Sequence, residues 1–178
     1  YGPDAASHDA FIGREGAFHQ TLAGISNFIA EGIGFQANAT ITKQNMSRIG
    51  EMAKMVKLLG ADSFHAFFLV PTGRGRGMTG DEMSAAEYEA AFVGVWNAAK
   101  ESDIDMKVTC APHFQRTASV LASKRGGNPR IKLSSKGCLA GTGVCFVSHK
   151  GDVLPCGYFP VAAGNLYDTK FPDIWRDS

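Results

Sequence analysis

Three of the four cysteines in the chain lie in one short segment, GCLAGTGVCFVSHKGDVLPCGY at positions 137–158. Cys138, Cys145 and Cys156 are close enough in sequence for a loop and a hairpin to bring their thiolates around one metal centre. The alternative is that they are buried free thiols, because unreactive cysteine packs as a small hydrophobic side chain. Glycines at 137, 141, 143, 151 and 157 favour the metal site, since a backbone that wraps closely around a cluster needs them. We therefore predict these three cysteines as metal ligands.

The same segment contains no CxxC pair. Structural zinc needs four ligands and usually presents such pairs, so iron–sulfur is favoured, although the spacing alone leaves zinc open. The three cysteines leave a fourth ligand to be found, and its candidates are Cys110, His149 or a cysteine beyond residue 178. A disulfide framework is disfavoured, because a chain with 44% hydrophobic residues can build a core without cross-links.

The first two thirds of the chain predict the elements of a layered α/β domain. Apolar residues recur at helical spacing in the segments 18–30, 46–59 and 84–100, and Asn45 is predicted to cap the second of these helices. The intervening segments 35–42, 63–70 and 105–110 have the apolar or alternating character of strands. Strands that alternate with helices of this length predict right-handed βαβ units and a parallel sheet.

The pattern changes after Cys110. Residues 111–136 are polar and basic and are predicted to be irregular, and a hairpin is predicted to pair 144–148 with 152–155. We therefore predict two domains, 1–104 and 105–178. Glycines at 73, 75 and 77 mimic a phosphate-binding loop, but no GK[ST] follows them, so nucleotide binding is excluded.

The net charge and the distribution of apolar residues restrict the possible binding partners. A formal net charge of +1 gives no basic field for nucleic acid. No apolar run approaches the roughly 20 residues that cross a bilayer. We therefore predict a soluble, cytoplasmic protein that binds neither nucleic acid nor membranes.

Because the chain begins at Tyr1 rather than Met and ends in the first turns of a helix, FPDIWRDS, we expect an internal fragment of a longer protein.

The frame Cys138–x12–Gly151–x4–Cys156, followed by GNLYDTKFPDIWRDS, resembles the start of a SPASM/twitch domain. That domain is the auxiliary iron–sulfur domain of radical S-adenosylmethionine (SAM) enzymes. The stretch GPDAASHDAFIGREGAF is similar to the segment after the fourth strand of the radical SAM barrel. Together with TCAPHF and VPTGRG, these motifs are most similar to the haem-synthesising radical SAM decarboxylases, and the similarity runs along essentially the whole chain.

The resemblance implies a fold, a reaction and cofactors. The fold is α/β, the second half of a radical SAM partial (β/α)6 barrel followed by a small, irregular SPASM/twitch domain with a β-hairpin. The reaction is oxidative decarboxylation of propionates, which converts iron–coproporphyrin III to haem b. The cofactors are SAM and [4Fe-4S] clusters, and the CxxxCxxC loop that binds the SAM-cleaving cluster is expected upstream of Tyr1. The implied partners are the iron–porphyrin and an electron donor such as ferredoxin or flavodoxin.

The resemblance also implies roles for residues at the ends of the predicted strands. His113 and Cys110 are the candidate catalytic residues, with a structural role as the alternative for each. Four substrate propionates call for bidentate arginines, and the candidates are Arg74, Arg76 and Arg116, whose alternative is simple solvation. The candidates for seating SAM and its adenine are Asn38, Thr40, Val70 and Pro71.

The chain departs from its relatives at one position of a motif, and two other functions are alternatives to the one that the resemblance implies. Relatives often have Arg-Gly after the His-Asp-x-Phe motif, where this chain has Ile12-Gly13, so any contact made by that arginine is in doubt. A SPASM maturase that modifies a peptide is the first alternative, and it would not need a basic pocket. A non-catalytic metal- or cluster-binding module is the second, and a CxxxCxxC upstream would argue against it.

Overall fold

The computed structural model describes residues 1–125, 131 and 137–177, without the side chains of Arg74 and Arg125. The chain divides into two compact units, Tyr1–Ser135 and Lys136–Ser178. The predicted boundary after residue 104 falls inside the first unit, because the strand and the helix that follow it pack against the elements that precede it. Each unit is described by itself.

The first unit is built on a three-stranded parallel sheet, as the alternation of helices and strands predicted. Its strands are β1 (Gln36–Ile41), β2 (Ser63–Phe68) and β3 (Asp105–Thr109), in the order β1-β2-β3. The register pairs Asn38 with His65 and His65 with Lys107. Ile131 forms a parallel bridge with Met106, so the chain returns to the sheet beside β3.

The helices confirm three predicted segments and add two that were not predicted. The α-helices of this unit are α1 (Ala5–Ile12), α2 (Ala17–Ala30), α3 (Ile49–Leu58), α4 (Ala85–Ser102) and α5 (Phe114–Arg125), and 3₁₀ turns cover Met46–Arg48 and Gly73–Asp81. The prediction that 111–136 is irregular was wrong for α5, since Phe114, Ala118 and Leu121 are buried at helical spacing within a polar stretch. None of the described helices has the length and apolar character needed to cross a membrane.

The core of the first unit lies between one face of the sheet and the helices. Every second strand residue belongs to this core, as Phe64, Ala66 and Phe68 do on β2. Trp96 and Phe92 of α4 are fully buried against them. Burial of several aromatic side chains at about 25 cal/mol per Å² makes this core the main source of stability in the unit.

Asn45 does not cap a helix as predicted. Its side-chain oxygen accepts the backbone N–H of Thr42 at 2.9 Å, and its amide nitrogen donates to the carbonyls of Thr40 and Tyr1, each at 2.9 Å. The side chain is buried. It therefore fixes the path of the chain as it leaves β1, and the 3₁₀ turn that follows has no side-chain cap.

The second unit is a small antiparallel sheet with one short helix. Its elements are β4 (Phe146–Val147), β5 (Asp152–Leu154), β6 (Gly164–Asn165) and α6 (Phe171–Asp177), and the strand order is β4-β5-β6. The predicted hairpin is confirmed, while β6 was missed because two residues give no pattern. Among the described residues of this unit, only Val153 and Ile174 are buried.

Candidate iron–sulfur site and strand-end site

A tight turn connects Cys138 to Cys145. The carbonyl of Leu139 accepts backbone hydrogen bonds from Thr142, Gly143 and Val144 at 3.0, 2.8 and 3.1 Å, respectively. The chain therefore reverses between the two cysteines, and Cys145 directly precedes β4. This short turn reverses the chain between the two cysteines, as a connection between two ligands of one metal centre must.

Cys156 follows β5 directly, and the hairpin register sets its position relative to Cys145. Phe146 pairs with Leu154 in an antiparallel ladder, so the residue before β4 and the residues after β5 leave the hairpin at the same end. The turn at 148–151 closes the opposite end. His149 lies in that turn, away from the cysteines, and this geometry argues against it as the fourth ligand.

The three cysteine side chains are all at least partly exposed. Cys138 is exposed, Cys145 and Cys156 are half-buried, and none of them forms a disulfide. Within the described ranges, no three or more His, Cys, Asp or Glu side chains lie close enough together to hold a metal ion. The donor set still fits an iron–sulfur cluster, because soft thiolates at one end of a glycine-rich hairpin are the ligands that such clusters use. The ligand assignment stays a prediction.

Gly151 is explained by the turn rather than by a cluster. Its φ is +82°, and a Cβ there would lie 3.0 Å from the side-chain oxygen of Asn165 and 3.0 Å from the ring of Tyr167. Backbone conformation and close approach both require glycine at this position. The interpretation that all five glycines serve a cluster is therefore wrong for Gly151, which lies at the end of the hairpin away from the cysteines.

A polar network fixes the same turn. The carboxylate of Asp152 accepts hydrogen bonds from the Asn165 amide at 2.9 Å and from the Ser148 hydroxyl at 3.0 Å. These two hydrogen bonds lower the pKa of Asp152 below its ordinary value. Asn165 also donates to the carbonyl of Lys150 at 2.9 Å. Two pairs of the sequence motif, Gly151-Asp152 and Gly164-Asn165, thus connect β5 to β6 beside the turn.

A second group of side chains lies at the carboxyl ends of the parallel strands. Cys110 follows β3 with φ at +63°, an uncommon backbone conformation for a residue other than glycine. The ring of His113 meets the rings of Phe92 and Tyr88 edge to face, with centroids 4.9 and 5.2 Å apart. Parallel strands bring their carboxyl ends to one edge, so this is where the sheet can present chemistry.

Tyr88 belongs to this strand-end group, and sequence reasoning missed it. Burial raises the pKa of its phenol, and electrostatic interaction with the nearby Glu82 and Cys110 raises it further. Its ring also stacks on Phe68 with centroids 5.5 Å apart. The only signal in the sequence was its position one turn before Phe92, which does not distinguish a site residue from a core residue.

The two predicted adenine contacts and the predicted arginines have different surroundings. Val70 and Pro71 are half-buried directly after β2. Arg76 is exposed on the 3₁₀ turn, and the side chain of Arg74 lies outside the described part of the chain. Arg116 is paired with the carboxylate of Glu89, so its guanidinium already has an anionic partner within the first unit.

The two predicted SAM contacts lie on the sheet. Asn38 and Thr40 of β1 both point away from the core, and Asn38 accepts a hydrogen bond from Gln36 at 2.8 Å. This confirms only that they share a face. Their role in binding stays a prediction.

Comparison with known proteins identifies the class of the second unit. Residues 138–178 match the SPASM family, an iron-sulfur cluster-binding domain. This segment of the chain is therefore similar to SPASM domains, and the resemblance drawn from the cysteine–glycine frame is confirmed.

The whole chain is similar to proteins named AdoMet-dependent heme synthase. It is 43% identical to the one from Nitratidesulfovibrio vulgaris, over 99% of this chain and 50% of that protein. The corresponding values are 44%, 99% and 52% for the one from Methanosarcina barkeri, and 40%, 99% and 47% for the one from Oleidesulfovibrio alaskensis. The resemblance to SPASM-containing radical SAM proteins of the haem-synthesising kind is thus confirmed. The chain spans about half the length of these curated relatives.

Proposed function

We propose that the intact protein is a radical SAM haem synthase that decarboxylates propionate groups of iron–coproporphyrin III to vinyl groups. The observation that carries this proposal is 40–44% identity along 99% of the chain to three proteins named AdoMet-dependent heme synthase. The SPASM domain supports it, since an auxiliary cluster suits a redox enzyme. Each decarboxylated propionate loses CO2, one hydrogen atom and one electron.

The fold of the first unit supports the proposal. We infer that it is the second half of a partial (β/α)6 barrel, because its sheet is parallel and its helices pack on one face. In such barrels, ligands bind at the carboxyl ends of the strands. The strand-end group of Cys110, His113 and Tyr88 occupies this edge, next to Val70 and Pro71 after β2.

The residues of this chain would serve binding and positioning. SAM, when bound and reductively cleaved, supplies the radical that takes a hydrogen atom from the propionate. Asn38 and Thr40 would hydrogen-bond to SAM, and Val70 and Pro71 would contact its adenine. His113 and Cys110 would contact the porphyrin, where His113 can bind its iron or hold a proton.

Arginines and cysteines complete the proposed set. Arg74 and Arg76 would bind propionates, whereas Arg116 would first have to leave Glu89. Cys138, Cys145 and Cys156 would hold a [4Fe-4S] cluster that supplies an electron acceptor. We place the reaction in the cytoplasm, with ferredoxin or flavodoxin as the electron donor.

The test uses the intact protein, reconstituted anaerobically and incubated with SAM, a reductant and iron–coproporphyrin III. We expect haem b, detected by mass spectrometry, together with deoxyadenosine. A peptide maturase would cleave SAM and leave the porphyrin mass unchanged. A binding module would do neither, and either result would contradict the proposal.

A further inference from the structure

The segment between β2 and α4 has little packing of its own. It follows Val70 and Pro71 at the carboxyl end of β2, and its 3₁₀ turns cover Gly73–Asp81. Four of these nine residues are glycine, and most of the segment is exposed, Arg76 included. We call Gly73–Asp81 the arginine loop. Because glycines offer no side chains for packing, contacts at the ends of the loop must set where Arg76 lies.

The carboxyl end of the arginine loop is tied to the turn that follows β1. The carboxylate of Asp81 accepts a hydrogen bond from the side-chain amide of Gln44 at 2.7 Å, and its backbone carbonyl accepts the N–H of Lys43 at 3.1 Å. The ammonium group of Lys43 lies 3.1 Å from the carboxylate of Glu87, in the first turn of α4. Two consecutive residues after one strand therefore hold the end of a loop that follows the neighbouring strand.

The turn that carries Gln44 is rigid. Thr42 is buried, and its hydroxyl oxygen accepts the backbone N–H of Gln44 at 3.2 Å. Asn45 is also buried, and its side chain hydrogen-bonds to the backbone of Thr42 and Thr40. Buried groups that are hydrogen-bonded in this way resist displacement, because moving them would leave unsatisfied polar atoms. Gln44 therefore extends from a fixed base at the end of β1.

Arg76 lies in the middle of the arginine loop with its charge available. Among the described residues, no ion pair or hydrogen bond involves its guanidinium, whereas Arg116 is paired with Glu89. The one carboxylate of the loop belongs to Asp81, which Gln44 holds at the end beside α4. A carboxylate of a bound molecule would thus meet an arginine without a competing acid from the same loop.

We propose that the Gln44–Asp81 pair positions the arginine loop at the carboxyl ends of the strands, so that Arg76 binds a carboxylate of the tetrapyrrole substrate. This inference rests on the proposed function and deepens it by naming two positioning residues that do not themselves touch the substrate. The hydrogen bond between them acts by selecting one conformation of the loop before binding. This selection lowers the ordering cost that the substrate would otherwise meet.

The test is steady-state kinetics of the intact, reconstituted protein with SAM, a reductant and iron–coproporphyrin III. We expect Gln44→Ala and Asp81→Ala each to raise KM for the porphyrin about five- to tenfold, with kcat within about twofold, because a pre-ordered binding contact is lost. Asp81→Asn should stay within about twofold of the wild-type KM, since its amide oxygen can still accept the Gln44 hydrogen bond. Glu101→Ala is the matched control, because it removes an exposed carboxylate that joins α4 to Lys54 of α3 at 3.4 Å.

The double variant Gln44→Ala/Asp81→Ala tests whether the two residues act through one hydrogen bond. Because either single substitution already breaks that bond, the double variant should show the KM of the single variants, whereas independent roles would multiply the two effects. Trypsin cleavage after Arg76, followed by mass spectrometry, reports the freedom of the loop without porphyrin, and it should be severalfold faster in both single variants. A merely structural contact would change the cleavage rate and leave KM unchanged.

The outcomes separate this inference from the function beneath it. If wild type forms haem b and both single variants keep its KM, the pair does not position Arg76, and the proposed function stands. A KM raised as far by Asp81→Asn as by Asp81→Ala would also overturn the inference, since the charge of Asp81 rather than its hydrogen bond would then matter. If wild type neither binds nor converts iron–coproporphyrin III, the inference and the proposed function are both overturned.

Discussion

The two units of the chain are stabilised in different ways. The first buries a continuous apolar core that includes Trp96, Phe92 and Phe68. The second buries only Val153 and Ile174 among its described residues and depends on a polar network around Asp152. Small domains with little core need disulfides or metals. The first unit is therefore stabilised by its own packing, whereas the small core of the second unit is typical of domains that depend on a bound metal cluster.

The largest effect should come from removing the proposed ligands. Replacement of Cys138, Cys145 and Cys156 together by Ala should lower bound iron by about one cluster, roughly four iron atoms per chain, because thiolates hold such clusters. The second unit should lose protection from hydrogen exchange while the first keeps it. The measurements are iron content and exchange read by mass spectrometry on the reconstituted intact protein.

His149→Ala is the control, because the hairpin places His149 at the end away from the cysteines, and it should retain the iron. Unchanged iron and an unchanged visible spectrum in the triple variant would remove the ligand assignment and, with it, the contrast between the units.

The next effect tests the core of the first unit. Phe92→Ala should destabilise it by about 3–5 kcal/mol, because a fully buried ring leaves a cavity. Faster exchange in α4 and β2 would show this in the intact protein. Phe159→Ala, at a ring that is 54% exposed in the second unit, should change exchange by less than about 0.5 kcal/mol. Equal effects would mean that the two units do not differ in packing.

A smaller effect is expected in the hairpin. Gly151→Ala should lower the opening free energy of β5 by about 1–3 kcal/mol, since the turn holds φ at +82° and a Cβ would crowd the side chains of Asn165 and Tyr167 at 3.0 Å. Gly143→Ala is the matched control, because its nearest neighbour, the Cβ of Leu139, would lie 3.4 Å away. If both variants exchange alike, the turn does not determine the stability of the second unit.

The smallest effect is a pH dependence at the start of α4. Glu87 and Ser84 form a reciprocal cap, and hydrogen bonds from the Ser84 backbone and side chain, then from Lys43, lower the pKa of Glu87 from 4.5 to about 2. A depressed pKa stabilises the folded state above pH 4.5, and this contribution is lost as the pH falls towards 2. NMR titration of the carboxyl group should give a midpoint near 2, and Ser84→Ala should raise it. A midpoint near 4.5 in wild type would rule out the cap as an anchor of the first unit.

Much of the fold was predictable because its signals are local. Helical spacing found α2, α3 and α4, and alternation with strands predicted the parallel sheet. The helix α5 was missed because its few apolar residues lie in a basic stretch, and β6 because two residues carry no period. The candidate iron–sulfur segment was found from cysteine and glycine spacing, while Tyr88 was not, since its role depends on which residues α4 packs against.

The sequence by itself determined the resemblance to SPASM domains and to haem synthases, because cysteine spacing and residue order are properties of the chain alone. Only the tertiary structure decided that Gly151 serves a turn, that Arg116 is held by Glu89, and that Lys107 and Thr109 share a face with Asn38. The physical reason is that strand register, burial and charge pairing join residues far apart in sequence, and no local pattern records them.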